Sequence, residues 1–258
     1  MARKYVRLML AAGAVAVILV WVGSALAKQE DKKKEGRGPL SKITFIHYKK
    51  GHAKPPWANG GKGDDSTDSG LYTYLAKGAK WRVSEGLLLN PACAENADGN
   101  MDGLIENALY ASLGAWESAG GKSLEIFGGV SIDASATYDD GNYRGYNTVS
   151  FGPYGDGNVI GVTSVWGYFG GKPSTREIVE AHILMNDAYE WGDASADSSL
   201  MDVQNIFTHE LGHWAGMGDV YQVAAGEETM YGYSTEGETK KRDLYNGDIT
   251  GITGLYQE

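Results

Sequence analysis

The chain has 258 residues, of which 42% are hydrophobic and 22% charged. This composition predicts one globular domain with a sizeable core, plus an appendage. The formal net charge of −10 argues against nucleic acid as a partner, because phosphate backbones are bound through basic surfaces.

The N-terminus has the pattern of an export signal. Three basic residues in the first seven positions precede an apolar run over residues 8–22, and residues 25–27 (Ala-Leu-Ala) offer a small-x-small cleavage site. An uncleaved anchor is the alternative, although a membrane span usually needs about 18 apolar residues. We therefore expect residues 1–27 to be a signal peptide or an anchor. The protein would then be secreted or extracellular, or anchored to the outer face of the cytoplasmic membrane.

Residues 28–78 differ in composition from the remainder of the chain. The charge-dense run 28–38 predicts disorder, and residues 55–65 are rich in proline, glycine and polar residues. Only Ile43–Tyr48 has the pattern of a short strand. We interpret this segment as a linker or a short pro-segment without a strong core of its own.

Residues 79–258 have the regular pattern of a single α+β domain. The first half predicts a strand over 81–89, a helix over 103–119, and strands over 124–132, 147–151, 159–169 and 177–185. A second helix is expected to start near Ser199, with a capping-box-like Asp202, and a last helix from about Asp248. The pattern thus predicts a twisted mixed sheet of about five strands packed against two long helices, with a C-terminal helix.

The most informative stretch is residues 209–219, which read HELGHWAGMGD. On a helix, His209 and His213 share one face, and two imidazoles one turn apart can bind a single divalent ion. Glu210 lies beside the first histidine, where it can take a proton from a metal-bound water. Gly216 is expected to end the helix in a left-handed cap, after which the chain can turn back and bring Asp219 to the metal.

Asp219 is the favoured third ligand. The chain has five histidines, and none follows His213, so a third histidine downstream is impossible. The competing candidates are Glu236 and Glu238, but that arrangement would not require a helix end at Gly216.

These residues resemble those of metzincin zinc metalloproteases, and among them the matrixin-like ones. Four features carry the resemblance over residues 80–258: the motif at 209–219, the Thr-Met-Tyr-Gly turn at 229–232, the strand and tryptophan at 180–191, and the closing helix at 248–256. Two positions depart from the usual pattern: Asp219, where most relatives have a histidine, and Gly232, where some relatives have a tyrosine.

The resemblance implies a catalytic zinc held by His209, His213 and Asp219, with Glu210 as general base and Met230 packed under the metal. It also implies protein or peptide substrates, which would pair with residues 159–169 as an exposed edge strand. The stretch Tyr231 to Lys241 would form a wall of the substrate pocket.

Structural calcium is a further possibility. The pattern at 98–103 fits the first half of a calcium loop, but Leu109 stands where a bidentate glutamate belongs, and a turn with a helix cap is the alternative. Residues 139–142 and 156–158 also have the form of turns that could hold calcium.

His182 falls in a strand and is interpreted as a sheet residue. Cys93 is the one cysteine, so no intramolecular disulfide can form.

Two functions from different classes fit these features. The first is an exported zinc-dependent endopeptidase. The second is a catalytically silent, envelope-associated binding module that keeps the same fold. The presence of Glu210 favours the enzyme, because a silent relative would have no need of it.

Overall fold

The computed structural model describes residues 37–52, 70–92, 101–121, 124–139 and 141–257. The expected signal peptide or anchor at 1–27, Cys93 and the first half of the pattern at 98–103 lie outside these ranges. Within them, no helix is long and apolar enough to cross a membrane.

The described residues form eleven strands and three α-helices. The strands are β1 (Leu40–Lys49), β2 (Thr73–Tyr74), β3 (Glu85–Leu89), β4 (Phe127–Ile132), β5 (Asn147–Gly152), β6 (Val159–Tyr168), β7 (Glu177–Asn186), β8 (Trp191–Gly192), β9 (Met201–Asp202), β10 (Met217–Gly218) and β11 (Tyr233–Ser234). The helices are α1 (Met101–Glu117), α2 (Val203–Trp214) and α3 (Asn246–Tyr256).

The main sheet has seven strands in the order β11-β1-β6-β7-β5-β3-β4. Strands β4, β3, β5 and β7 are parallel, whereas β6 runs antiparallel to both of its neighbours, β7 and β1. The short β11 is parallel to β1. The predicted α+β class with a mixed sheet is confirmed.

The five predicted strands are present as β3 to β7, and β1 and β11 extend the sheet to seven strands. One expectation about this sheet is wrong, because β6 is an interior strand rather than an exposed edge. The reason is β1, which lies in the segment interpreted as a linker and pairs with β6 over its whole length, from Leu40↔Tyr168 to Tyr48↔Val159. Periodicity predicts a strand there but carries no information about a partner far along the chain.

Helices α1 and α2 pack against one another and enclose the core. Trp116 of α1 and Trp214 of α2 are fully buried. The indole Nε1 of Trp116 donates to the carbonyl of Thr208 at 2.8 Å, and that of Trp81 donates to the carbonyl of Trp214 at 2.9 Å. Burial of such side chains contributes roughly 1.5–3 kcal/mol each, so the position of α2, which carries the 209–219 motif, is strongly held.

Helix α2 begins at Val203, later than the predicted start near Ser199. Asp197 accepts hydrogen bonds from the backbone N–H and the hydroxyl of Ser199, which makes a separate turn. The N-cap is Asp202, whose buried carboxylate accepts from the N–H of Asn205 at 2.8 Å. Arg242 donates to both oxygens of the same carboxylate. The helix that carries the motif therefore starts from a satisfied cap.

Candidate metal centre

The side chains of His209, His213 and Asp219 converge at the C-terminal end of α2. The helix ends at Trp214, and Gly216 adopts φ +100°, where a β-carbon would lie 2.4 Å from the carbonyl oxygen of Ala79. The chain turns back after this glycine. Oδ1 of Asp219 then lies 3.3 Å from Nε2 of His209 and 3.4 Å from Nε2 of His213.

The orientation of both imidazoles is set by carbonyl oxygens. Nδ1 of His209 lies 2.7 Å from the carbonyl of Thr229, and Nδ1 of His213 lies 3.1 Å from that of Met217. A carbonyl only accepts hydrogen bonds, so each Nδ1 carries the proton and donates it. In the neutral imidazole, Nε2 then carries the lone pair and directs it toward Asp219, which is the arrangement that a metal ion requires.

The donor set fits zinc. The three ligand atoms lie within 4.8 Å of one another. Nε2 of His209 and Oδ1 of Asp219 are buried and have no hydrogen-bond partner among the residues that the structure describes. Two imidazole nitrogens and one carboxylate oxygen are ordinary zinc ligands, and a three-residue set leaves one coordination position for water or substrate. A cation would satisfy both orphaned atoms.

The second carboxylate oxygen of Asp219 is also held. The phenol of Tyr221 donates to Oδ2 at 3.2 Å, and burial with the adjacent carboxylate raises the pKa of that phenol. The space for the ring exists because residue 232 is glycine: a β-carbon there would lie 2.4 Å from the ring of Tyr221. Sequence reasoning missed Tyr221, although it stands only two residues after the motif.

Glu210 is fully buried beside this cluster. Its Oε2 accepts a hydrogen bond from the hydroxyl of Thr163 on β6 at 2.5 Å. Its Oε1 fills the space left by Gly161, where a β-carbon would be only 2.7 Å away. Burial raises the pKa of Glu210 to about 7, against opposing contributions from His213 and Thr163. Such a carboxyl can take up and release a proton near neutral pH.

Met230 lies directly beneath the motif helix. Its side chain is fully buried, and a β-carbon on Gly212 would approach the sulfur to 2.1 Å. Asp248 fixes the turn by accepting from the backbone N–H groups of Thr229 and Met230 at 2.6 and 3.1 Å. The methionine therefore supports the helix by packing.

The expected pocket wall, residues 231 to 241, lies next to the cluster and is fastened by Lys241. The fully buried ammonium of Lys241 donates to the carbonyls of Tyr231 and Tyr233 at 2.5 and 2.7 Å, and to the hydroxyl of Ser234 at 2.9 Å. Burial lowers its pKa to about 8.

Neither of the competing glutamate ligands reaches the cluster. Glu236 accepts from Nζ of Lys49 at 2.6 Å, and Glu238 accepts from the hydroxyl of Ser234 at 2.8 Å. His182 is a buried sheet residue, as expected, with Nδ1 2.7 Å from the hydroxyl of Thr148.

The possible calcium turns are closed by protein groups. Asp156 accepts from the backbone N–H of Asn158 at 2.9 Å, and Asp139 accepts from that of Gly141 at 2.8 Å. Arg144 also binds the carboxylate of Asp139. Both are turns, and calcium is not supported there.

Two side chains of β1 cover the cluster, and sequence reasoning did not place either of them there. The ring of Phe45 stacks on that of His213, with centroids 3.9 Å apart and planes 7° from parallel. The ring of His47 lies 3.9 Å from that of His209, and its Nδ1 is 3.3 Å from Oε1 of Glu210. The signal that could have identified His47 is its alternation with Phe45 in a strand pattern within a histidine-poor chain.

A comparison with known families agrees with this geometry. Residues 160–257 match the family model of the M10 peptidases, described as matrixin. No curated protein matches the chain. The matched segment contains the cluster, the Met230 turn and α3, and the predicted resemblance to matrixin-like metzincins is confirmed. This is a family of zinc metallopeptidases, which implies a zinc ion and protein or peptide substrates.

Proposed function

We propose that the protein is an exported zinc-dependent endopeptidase in which His209, His213 and Asp219 hold the metal and Glu210 is the general base. The observation that carries the proposal is the convergence of the Nε2 atoms of His209 and His213 on a carboxylate oxygen of Asp219 that has no hydrogen-bond partner among the described residues, beside the buried carboxyl of Glu210. Buried groups of this kind are what a metal-assisted hydrolytic site requires.

A zinc ion held by His209, His213 and Asp219 would supply a Lewis acid and would lower the pKa of water from about 15.7 toward roughly 7. The protein's own contribution is proton transfer. Glu210 would accept the proton of the attacking water and then deliver it to the leaving amine, and its burial, which raises its pKa, favours uptake of that proton. Thr163 holds the carboxylate in place through its hydrogen bond to Oε2.

Substrate binding is determined by the sheet. Strand β6 runs past the cluster and positions Thr163 and Gly161 against Glu210. Both edges of β6 are occupied, by β1 and β7, so an extended peptide could pair with β6 near this carboxyl only in place of β1. Such pairing uses the main chain and is independent of sequence. The proposal therefore favours polypeptide substrates.

Export rests on the N-terminal pattern of residues 1–27 alone. Cleavage after Ala27 would leave a mature chain that begins at Lys28. N-terminal sequencing of the protein from the culture medium and from the membrane fraction tests this: an unprocessed chain in the cytoplasm would contradict it.

The test measures zinc content and casein hydrolysis for the Glu210→Gln variant. The matched control is Glu190→Gln, because Glu190 is exposed. Since Phe45 and His47 cover the site, each measurement is made in the native chain and in a Phe45→Ala/His47→Ala background. We expect Glu210→Gln to keep its zinc and lose about 10²–10⁴-fold in activity. Activity that survives full zinc removal, or survives Glu210→Gln, would overturn the enzyme assignment.

A further inference from the structure

A cavity lies at the surface where α1 meets the beginning of α2, and no residue of the metal cluster lines it. Its volume is about 470 Å³, within the range of roughly 300–1,000 Å³ that small-molecule sites occupy. We call it the α1–α2 cavity. Its floor is apolar and is formed by Leu104, Ala108, Ala111 and Val203.

The sequence of α1 explains why this space is open. Leu104, Ala108 and Ala111 are spaced i, i+4 and i+7, so they lie on one face of the helix. The opposite wall begins with Val203, the first residue of α2. Two alanines on the face of α1 are too short to fill the distance to this wall, so an aliphatic side chain of a ligand can enter between the helices.

An ion pair stands at the rim of the cavity. Nη2 of Arg242 lies 2.5 Å from Oδ1 of Asp193, and the two side chains are 24% and 43% exposed. Arg242 uses Nε and Nη2 for its bonds to Asp202 and Asp193, and Oδ1 of Asp193 also accepts from Ser195. Within the described ranges, no hydrogen bond engages Nη1 of Arg242 or Oδ2 of Asp193. A donor and an acceptor of opposite charge therefore remain side by side.

This pair of charges restricts the ligand. A simple anion that approached Arg242 would also meet the carboxylate of Asp193, and a simple amine would meet the guanidinium. A ligand with a carboxylate and an ammonium on the same carbon can form a charge-assisted hydrogen bond to each partner. The apolar floor would then bury its side chain, which is favourable when that side chain is aliphatic. An aliphatic α-amino acid combines these three features.

The cavity is connected to the motif helix through Arg242. The guanidinium donates to both oxygens of Asp202, which is the N-cap of α2. A ligand that holds Arg242 in this position also holds the cap. Occupation of the cavity should therefore stabilise the folded chain, because a ligand that binds only the native state shifts the unfolding equilibrium.

We propose that the α1–α2 cavity is a binding site for a free aliphatic α-amino acid. Asp193 binds the ammonium, Arg242 binds the carboxylate, and Ala108 and Ala111 leave the space for the side chain. The site is separate from the metal cluster, and the inference does not depend on the proposed function.

The first test titrates the zinc-free native chain with leucine in a calorimeter, so that leucine cannot bind to a metal ion. Three related compounds each lack one feature: N-acetyl-leucine has no ammonium, leucine amide has no carboxylate, and glycine has no side chain. We expect each to bind at least about tenfold more weakly than leucine, because each loses a charge-assisted hydrogen bond or the buried side chain. A compound of the three that binds as tightly as leucine would overturn the proposal.

The second test locates the site with variants. Ala111→Leu fills the cavity from an exposed position on α1, and Asp193→Asn removes the partner of the ammonium. Both should weaken leucine binding at least about tenfold. The controls are Tyr110→Leu, which places the same side chain at an exposed position outside the cavity, and Glu190→Gln, which removes an exposed carboxylate. Both controls should bind leucine like the native chain.

Thermal unfolding gives an independent measurement and verifies that each variant is folded. Saturating leucine should raise the Tm of the native chain and leave that of Ala111→Leu unchanged. No binding of leucine to the native chain, or native affinity in the folded Ala111→Leu variant, would overturn the site. Because Ala111→Leu leaves the ion pair of Asp193 and Arg242 in place, its result does not depend on whether Asp193→Asn folds.

Discussion

Gly212 on α2 and Met230 in the following turn are in such close contact that a β-carbon on Gly212 would lie 2.1 Å from the methionine sulfur. The same β-carbon would lie 2.6 Å from the ring of Trp116. The motif helix therefore sits against its supporting turn without space for a methyl group. The identity of residue 212, between the two histidines, is dictated by this contact.

Gly212→Ala is expected to destabilise the protein by about 1–3 kcal/mol, which is typical of overpacking in a filled core. Its helical control is Gly114→Ala, where a β-carbon would meet nothing within 4 Å. That change should be neutral or stabilising by up to about 1 kcal/mol, since alanine favours the helix. Urea unfolding measures both, and equal stabilities for the two variants would contradict the packing argument.

Asp219→Asn should weaken zinc binding more than Tyr221→Phe does. The first change removes the charge of the proposed ligand, and the second removes only the hydrogen bond to Oδ2. Loss of an outer hydrogen-bond partner typically costs about 10–100-fold in metal affinity, and loss of a ligand should exceed that. Competition with a chromophoric chelator measures the affinities. Asp243→Asn, on an exposed residue, is the control; native affinity in Asp219→Asn would remove it from the ligand set.

Asp202→Ala should destabilise the protein by about 2–4 kcal/mol. The change removes the cap of α2 and leaves Arg242 without its buried partner. Asp197→Ala is the matched control, because among the described residues the side chain of Asp197 binds only Ser199, in the turn before the helix. It should cost less than about 1 kcal/mol. Denaturant midpoints compare the two, and similar losses would show that the cap contributes little.

The raised pKa of Glu228 predicts that the stability of the fold falls as the pH rises. Burial, with the nearby charge of Asp248, raises the pKa of Glu228 to about 7. A carboxyl whose pKa is raised by folding stabilises fully below the unfolded value near 4.5, and that stability is lost as the pH rises through about 7. Glu228→Gln cannot ionise and keeps an oxygen that can accept from the N–H groups of Gly247 and Asp248.

We therefore expect the Tm of the native chain to fall between pH 5 and 8, and that of Glu228→Gln to fall by a few degrees less, about 2–4 °C. Glu227→Gln is the control, since the Glu227 side chain is 67% exposed. Parallel Tm curves for the native chain and Glu228→Gln would contradict the raised pKa.

Several parts of the site could be anticipated because they are local in sequence. The spacing of His209 and His213 places them on one helix face, and the glycine at 216 requires the reversal that leads to Asp219. The five longer strands after residue 81, β3 to β7, were predicted in their order by periodicity, whereas the two-residue strands β8 to β11 were not. The observed ends of these elements differ from the predicted ends by a few residues, because strand and helix ends depend on neighbouring elements as well as on the sequence pattern.

The remaining contacts join residues far apart along the chain. Thr163 reaches Glu210 across 47 residues, and His47 reaches it across 163. Lys241 is buried because the segment that carries Tyr231 and Tyr233, whose carbonyls accept its hydrogen bonds, folds over it. No local periodicity encodes which distant group will occupy such a position.

The sequence by itself determined the chemistry of this protein: two histidines, a glutamate and an aspartate at spacings that a helix and a glycine turn convert into a single cluster. Only the tertiary structure decided whether that cluster is accessible. Strand β1 carries an ordinary alternating pattern that would suit any sheet edge, and its pairing with β6 more than a hundred residues away covers the site. Strand partners are selected by nonlocal hydrogen bonding and burial, which a linear pattern does not contain.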